Sequence, residues 1–171
     1  MDRLPGPLCQ NAFIVADIEA AITHWTGTLG IGPFFKFPPL EFTEGTLHGK
    51  PHLPRFKAAV AYSGDLIIEL IEPEGPSIFQ EYLEAGGQGV HHNCVMTDDL
   101  DSLVSALHAK GGETVQTQAT ADGSVMAYVQ MPAPEPVIIE VAQLTEGPRE
   151  LFKAIRAAAA RWDGKTPCIT F

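Results

Sequence analysis

The chain repeats itself. Gln10-Asn11-Ala12-Phe13-Ile14-Val15-Ala16-Asp17-Ile18 aligns with His92-Asn93-Cys94-Val95-Met96-Thr97-Asp98-Asp99-Leu100, with the asparagine, the closing aspartate and the apolar positions kept. An amphipathic helical stretch follows each block. Each half then ends in a similar strand, Ile67-Ile68-Glu69-Leu70 and Ile138-Ile139-Glu140-Val141. A sequence that duplicates itself is two copies of one supersecondary unit, neither of which buries its apolar face alone.

The local patterns fill in that unit. Residues 8–15 alternate as a strand, with Leu8, Gln10, Ala12 and Ile14 on one face and Cys9, Asn11, Phe13 and Val15 on the other. Asp17 is placed to cap a helix carrying Ile18, Ala21, Ile22 and Trp25, which stops near Gly27 or Gly30. A short strand follows at Phe34 to Phe37. Residues 38–55, with Pro38, Pro39, Pro51 and Pro54, read as a long loop or lid over a pocket. A hairpin over 56–62 and 65–72 turns at Ser63-Gly64. The second half repeats this order: strand 90–97, helix 99–110, strand 113–119, strand 124–131 turned at Asp122-Gly123, and strand 136–142. The expectation is an α+β fold of two tandem βαβββ modules, forming a curled mixed sheet around a shared metal site, plus a C-terminal helix. The divisions are 1–74 for the first module, 75–88 for a linker helix, 89–145 for the second module and 146–171 for the C-terminal helix and tail. Gln10 to Glu69 is 59 positions and His92 to Glu140 is 48, and the difference of 11 is the extra length in the 38–55 segment.

The repeat also fixes where chemistry can sit. Gln10 and His92 open equivalent first strands, and Glu69 and Glu140 lie in equivalent last strands. A carboxylate among Leu66, Ile67, Ile68, Leu70 and Ile71 is costly to bury unless it meets a cation or a donor, and the same holds for Glu140 among Ile138, Ile139 and Val141. Two such carboxylates at matching positions point to one shared divalent ion, with Gln10, Glu69, His92 and Glu140 as its ligands. Three oxygens and one imidazole suit six-coordinate Mn, Co, Ni or Zn. Gln10 stands where an oxygen-activating iron site needs its second histidine, which argues against a dioxygenase. Phe35, Tyr62 and Tyr128 are candidates for a substrate pocket.

Bulk properties narrow the partners. The 171 residues carry a formal charge of −10, which argues against nucleic acid or an anionic membrane as partner. No apolar run approaches the roughly 18 residues of a membrane span. Cys9, Cys94 and Cys168 are widely spaced and form no metal-type pair, as expected of reduced thiols in the cytoplasm. Met1 to Pro7 is polar and proline-broken, unlike a signal peptide.

Gly89-Val90-His91-His92 followed by Thr97-Asp98-Asp99-Leu100 resembles the double-histidine strand and helix cap of the methylmalonyl-CoA epimerase branch of the vicinal oxygen chelate superfamily. That superfamily also includes glyoxalase I, extradiol dioxygenases and bleomycin-resistance proteins, and the resemblance spans roughly residues 8–143. The repeat assigns the ligand to His92, with His91 pointing to the opposite face. Two departures stand out. The Gln/Glu/His/Glu set is similar to that of eukaryotic glyoxalase I, and Ala58 (or Lys57) occupies the place of the epimerases' second glutamate base. What the resemblance implies is a metal-dependent isomerase or epimerase. It would move a proton α to a carbonyl through a metal-stabilised enolate, with Glu140 as base and Glu69 serving the other face. The alternatives are a glyoxalase-like lyase, a non-catalytic small-molecule binding protein of the resistance type, and an extradiol-type dioxygenase. A small carbonyl substrate and a homodimer are likewise implied.

Overall fold

The computed structural model describes residues 6–132, 134 and 137–170; Met1 to Pro5 and Pro136, the first residue of the expected last strand, lie outside the described residues. The first module runs β1 (Gln10–Ile14), α1 (Ile18–Leu29), β2 (Phe34–Lys36), β3 (Phe42–Leu47), β4 (Lys50–Pro51), β5 (Phe56–Ser63) and β6 (Leu66–Pro73). After α2 (Ile78–Glu84) the second runs β7 (Val90–Met96), α3 (Leu100–His108), β8 (Glu113–Thr120), β9 (Val125–Gln130) and β10 (Ile138–Gln143). Then come α4 (Glu146–Ala159) and β11 (Cys168–Thr170). The fold is α+β, with one curled mixed sheet ordered β11-β2-β5-β6-β1-β7-β10-β9-β8-β3-β4 among the described residues.

The duplication is visible in the register. β1 and β7 pair antiparallel at the centre, each with its own parallel partner outside it, β6 and β10. The repeated asparagines meet across this seam, Asn93 donating to Asn11 at 2.7 Å. The repeated aspartates cap equivalent helices: Asp17 accepts from the Ala20 amide and Asp99 from the Ser102 amide, both at 3.0 Å. Helices α1 and α3 cover the convex face, over Ile18, Ile22, Ile68 and Leu70 on one side and Val95, Leu103, Leu107 and Val141 on the other. The concave face is left for α2 at one end, through Phe79, and α4 at the other, through Ile155.

Two segments depart from the expectation. Residues 38–55 are not a loop: they carry β3 and β4, and β3 adds to the edge of β8 in the other module. Covering an edge strand removes an unpaired row of backbone groups. Gly45 is needed there, because a Cβ would come within 2.6 Å of the His52 carbonyl and 2.8 Å of that of Thr117. The hairpin is tied to the start of α2 by His48 on Glu81 and His52 on the Pro76 carbonyl, so neither histidine is a lid residue. The tail is also built in: β11 pairs with β2, and the Trp162 indole donates to the Thr166 carbonyl.

Asp122 fastens the start of α4. Its carboxylate accepts from Thr120, from the Ser124 amide and hydroxyl, and from the Thr145 hydroxyl at 2.5 Å. Thr145 is the N-cap residue of α4 but makes no side-chain bond to the helix, because its hydroxyl is turned to Asp122 and Ser124. The bonds from Thr120 and then Thr145 hold the Asp122 pKa down to about 2 from 3.8. A lowered carboxylate pKa stabilises the fold above the unfolded value and stops doing so as pH falls through the folded one. Asp122→Ala is expected to cost about 1 kcal/mol at pH 7, or roughly 2–4 °C of melting temperature. Melts in parallel with the parent should converge as pH falls from about 4 to about 2; a difference that persists at the lowest pH would rule out this role.

Candidate metal centre

Two rungs of the central strands build the site. Across one lie Gln10, Cys94 and Glu140; across the next lie Glu69, Ala12 and His92. The four long polar side chains occupy the corners, and the small, buried Ala12 and Cys94 between them leave room for convergence. The ligand atoms of Glu69, His92 and Glu140 all lie within 4.8 Å of one another. Gln10 Nε2 sits among them, donating to Glu69 Oε2 at 2.7 Å and to Glu140 Oε2 at 3.3 Å. Turning this amide by half a revolution would present Oε1 instead.

His92 carries the strongest indication. It is fully buried, and its Nε2 is the buried side-chain polar atom without a hydrogen-bond partner among the described residues. That nitrogen faces Glu140 Oε2 at 3.4 Å and Glu69 Oε2 at 3.6 Å. Burial disfavours its charge, but the interactions with Glu140 and Glu69 outweigh burial and lift its pKa to about 9. Burial also raises the Glu69 pKa. A buried nitrogen aimed at two carboxylates is satisfied by a shared proton or by a cation, and the donor chemistry fits a divalent ion.

His91 does not point away, as strict alternation would have it. β7 pairs His92 with Ala12 and Val90 with Phe13, so His91 is the extra residue of a β-bulge. The bulge brings the two imidazoles together, Nδ1 to Nδ1 at 2.8 Å. Burial, then the neighbouring His92, holds the His91 pKa down to about 3, so a neutral His91 accepts and His92 carries its proton on Nδ1. His92 Nε2 then faces the carboxylates, holding a proton between them when no cation is bound and free to offer its lone pair when one is. A second-layer partner that fixes a ligand's tautomer is a recurring part of metal sites.

Several supporting residues were missed at the level of sequence. Phe79 of α2, fully buried, packs its ring within 5.9 Å of His91, His92 and Tyr128 (centroid to centroid). A buried amide chain then runs to Glu140. The Ile78 amide donates to Gln116, Gln116 to Gln118, Gln118 to the Tyr128 hydroxyl, and Tyr128 to Glu140 Oε1 at 3.2 Å. Alternating Gln116, Gln118 and Thr120 on β8 were the available signal, since polar residues on a buried face need partners. Tyr128→Phe leaves Gln118 and Glu140 each short of a partner. It is expected to cost about 1–3 kcal/mol in urea unfolding; an unchanged midpoint would show that the chain of amides carries no stability.

A cavity of about 330 Å³ opens beside the cluster. Gln10, Glu69, Tyr128 and Glu140 line its polar end. Phe37, Phe42, Phe56, Ala58, Leu151 and Phe152 are among its apolar walls. Phe35, expected in a pocket, instead packs with Val60, Ile67 and Ile155 beneath α4, whereas Tyr62, packed against the same group, lines the neighbouring groove along α4 and not this cavity. The reason is tertiary: the docking of α4 turns that part of the concave face into core.

The chain belongs to the glyoxalase/bleomycin resistance protein/dioxygenase superfamily, whose profile matches residues 9–128. No curated protein matches its sequence significantly. Among solved structures, a hypothetical protein from Bacillus halodurans C-125 is similar at 19% identity and a TM-score of 0.58, covering 82% of this chain and 95% of that one. A Streptomyces coelicolor methylmalonyl-CoA epimerase variant in complex with 2-nitronate-propionyl-CoA is similar at 18% identity and 0.55, covering 82% and 96%. The Mycobacterium tuberculosis methylmalonyl-CoA epimerase gives 18% and 0.54, covering 84% and 91%. At such identities the likeness is one of fold. No helix among the described residues is long and apolar enough to cross a membrane.

Proposed function

We propose that this chain is a metal-dependent isomerase or epimerase that moves a proton α to a carbonyl. The observation that carries the reading is the buried, unpartnered Nε2 of His92 facing Glu69 and Glu140. Gln10, Glu69, His92 and Glu140 would hold one divalent ion, of the Mn, Co, Ni or Zn kind. When bound, such an ion acts as a Lewis acid for adjacent substrate oxygens and stabilises the charge of an enolate. Glu140 is the proposed base. It lines the cavity, and the Tyr128 hydroxyl orients its Oε1. Glu69, on the other module and also lining the cavity, is the proposed partner for the opposite face of the substrate. His91 sets the tautomer of His92, and Phe79 and α2 hold both rings in place.

A glyoxalase-like lyase is the second reading, supported by Ala58 on the cavity wall where a further base would sit for two-base epimerisation. We take the enzyme to work in the cytoplasm, in keeping with its three free cysteines, and as a homodimer, by analogy with its family. The test is solvent exchange. In heavy water, manganese-loaded protein is expected to speed deuterium entry into the methyl group of phenylpropanedione, followed by proton NMR. Exchange no faster than with the ion alone, for this and related neutral diketones, would refute the reading.

A further inference from the structure

We propose that α4 is the specificity wall of this site, and that it selects a compact, uncharged, largely apolar carbonyl compound over an acyl-CoA thioester or a glutathione adduct. The inference rests on the reading of the cluster as a metal centre acting at a carbonyl. Pro148, Leu151 and Phe152 of α4 line the cavity together with Phe42 of β3 and Met126 of β9. The helix is anchored there by the fully buried Ile155 and by Asp122 at its start. At about 330 Å³ the cavity is near the small end of ligand pockets.

Charge argues the same way. No lysine or arginine lines the cavity among the described residues, whereas three carboxylates do: Glu69, Asp122 and Glu140. A divalent ion would balance Glu69 and Glu140 and leave Asp122 negative, so nothing in the cavity draws a phosphate or a free carboxylate inward. The cations of α4 face the neighbouring groove outside. Each is already paired: Arg149 with Asp98 at 2.6 Å, Lys153 with Glu150 at 2.5 Å, and Arg156 with Asp65. The binding energy left to a substrate comes from apolar contact with the α4 wall and from its own oxygens at the polar end.

The experiment is calorimetry on manganese-loaded protein with four probes: propiophenone, phenylpropanedione, propionyl-CoA and S-lactoylglutathione. Both neutral ketones are expected to bind at least about tenfold more tightly than either conjugate. Phe152→Arg should weaken the ketones by at least about tenfold, and Phe152→Ala by a smaller factor, with metal content and near-ultraviolet dichroism unchanged. The proposal is overturned if propiophenone does not bind, if the Phe152 variants bind the ketones as the parent does, or if propionyl-CoA binds as tightly and loses affinity in Lys153→Ala. Failure of the metal reading looks different: phenylpropanedione, with its adjacent oxygens, would show no advantage over propiophenone, while propiophenone would still bind.

Discussion

Replacing Glu140 by glutamine is expected to slow α-proton exchange by about 10²–10⁴-fold, the usual contribution of a positioned general base. Glutamine keeps the shape of the side chain. Its one carbonyl oxygen can still be offered to a cation, with the amide nitrogen then donating to the Tyr128 hydroxyl, which now lies 3.2 Å from Glu140 Oε1. It cannot take a proton from carbon. The substitution therefore separates the base from the ligand: the rate should fall while the protein stays folded and keeps most of its metal. Glu69→Gln is the natural companion. If Glu69 serves the opposite face, its loss should reduce interconversion of the two enantiomers of a chiral substrate more than exchange into one of them. A Glu140→Gln protein that exchanges protons at the parent rate would remove Glu140 from the chemistry.

The second large effect is thermodynamic. An ion that binds the folded chain and not the unfolded one adds about 2.7 kcal/mol of stability at a free concentration one hundred times its dissociation constant. For a chain of this size that corresponds to a rise in melting temperature of roughly 5–11 °C. His92→Ala should abolish the rise, because it removes the nitrogen ligand and leaves Glu69 and Glu140 facing each other across a buried gap. His91→Ala should behave differently. It leaves every ligand atom in place but frees the His92 ring to choose its tautomer, at an expected cost of roughly 10–100-fold in metal affinity. Scanning calorimetry with and without manganese gives all three results. An equal rise in parent and His92→Ala would locate the ion elsewhere.

Much of this was legible because the chain says it twice. The paired blocks around Gln10 and His92, and the strands around Glu69 and Glu140, gave the module and the four corner residues together, since equivalent positions in a duplicated sheet must be related across the central seam. Local chemistry gave the caps at Asp17 and Asp99 and the turns at Gly64 and Gly123. What was hidden depended on distant pairing. β3 lies among prolines, with Glu41, Glu44 and Gly45 breaking its alternation, and it is a strand only because β8 offers an edge. His91 was assigned to the wrong face because the period of two fails at a bulge, and a bulge leaves no mark in the sequence. Phe35 was placed in a pocket because the pattern of β2 cannot tell that α4 covers it, and the pattern of β5 cannot tell that Tyr62 lines the groove along α4 and not the cavity at the cluster. The support under the site came from α2, read only as a link between modules, whose Phe79 underlies both histidines.

Everything proposed for this site requires four side chains from two repeats to hold one ion. The most direct test is elemental analysis of the purified protein after loading with manganese, cobalt, nickel or zinc, beside a variant with His92 and Glu140 both changed to alanine. About one divalent ion per chain is expected in the parent and none in the variant. No bound ion in the parent under any loading would contradict it and leave an apolar cavity with a proton, not a metal, between His92 and its two glutamates.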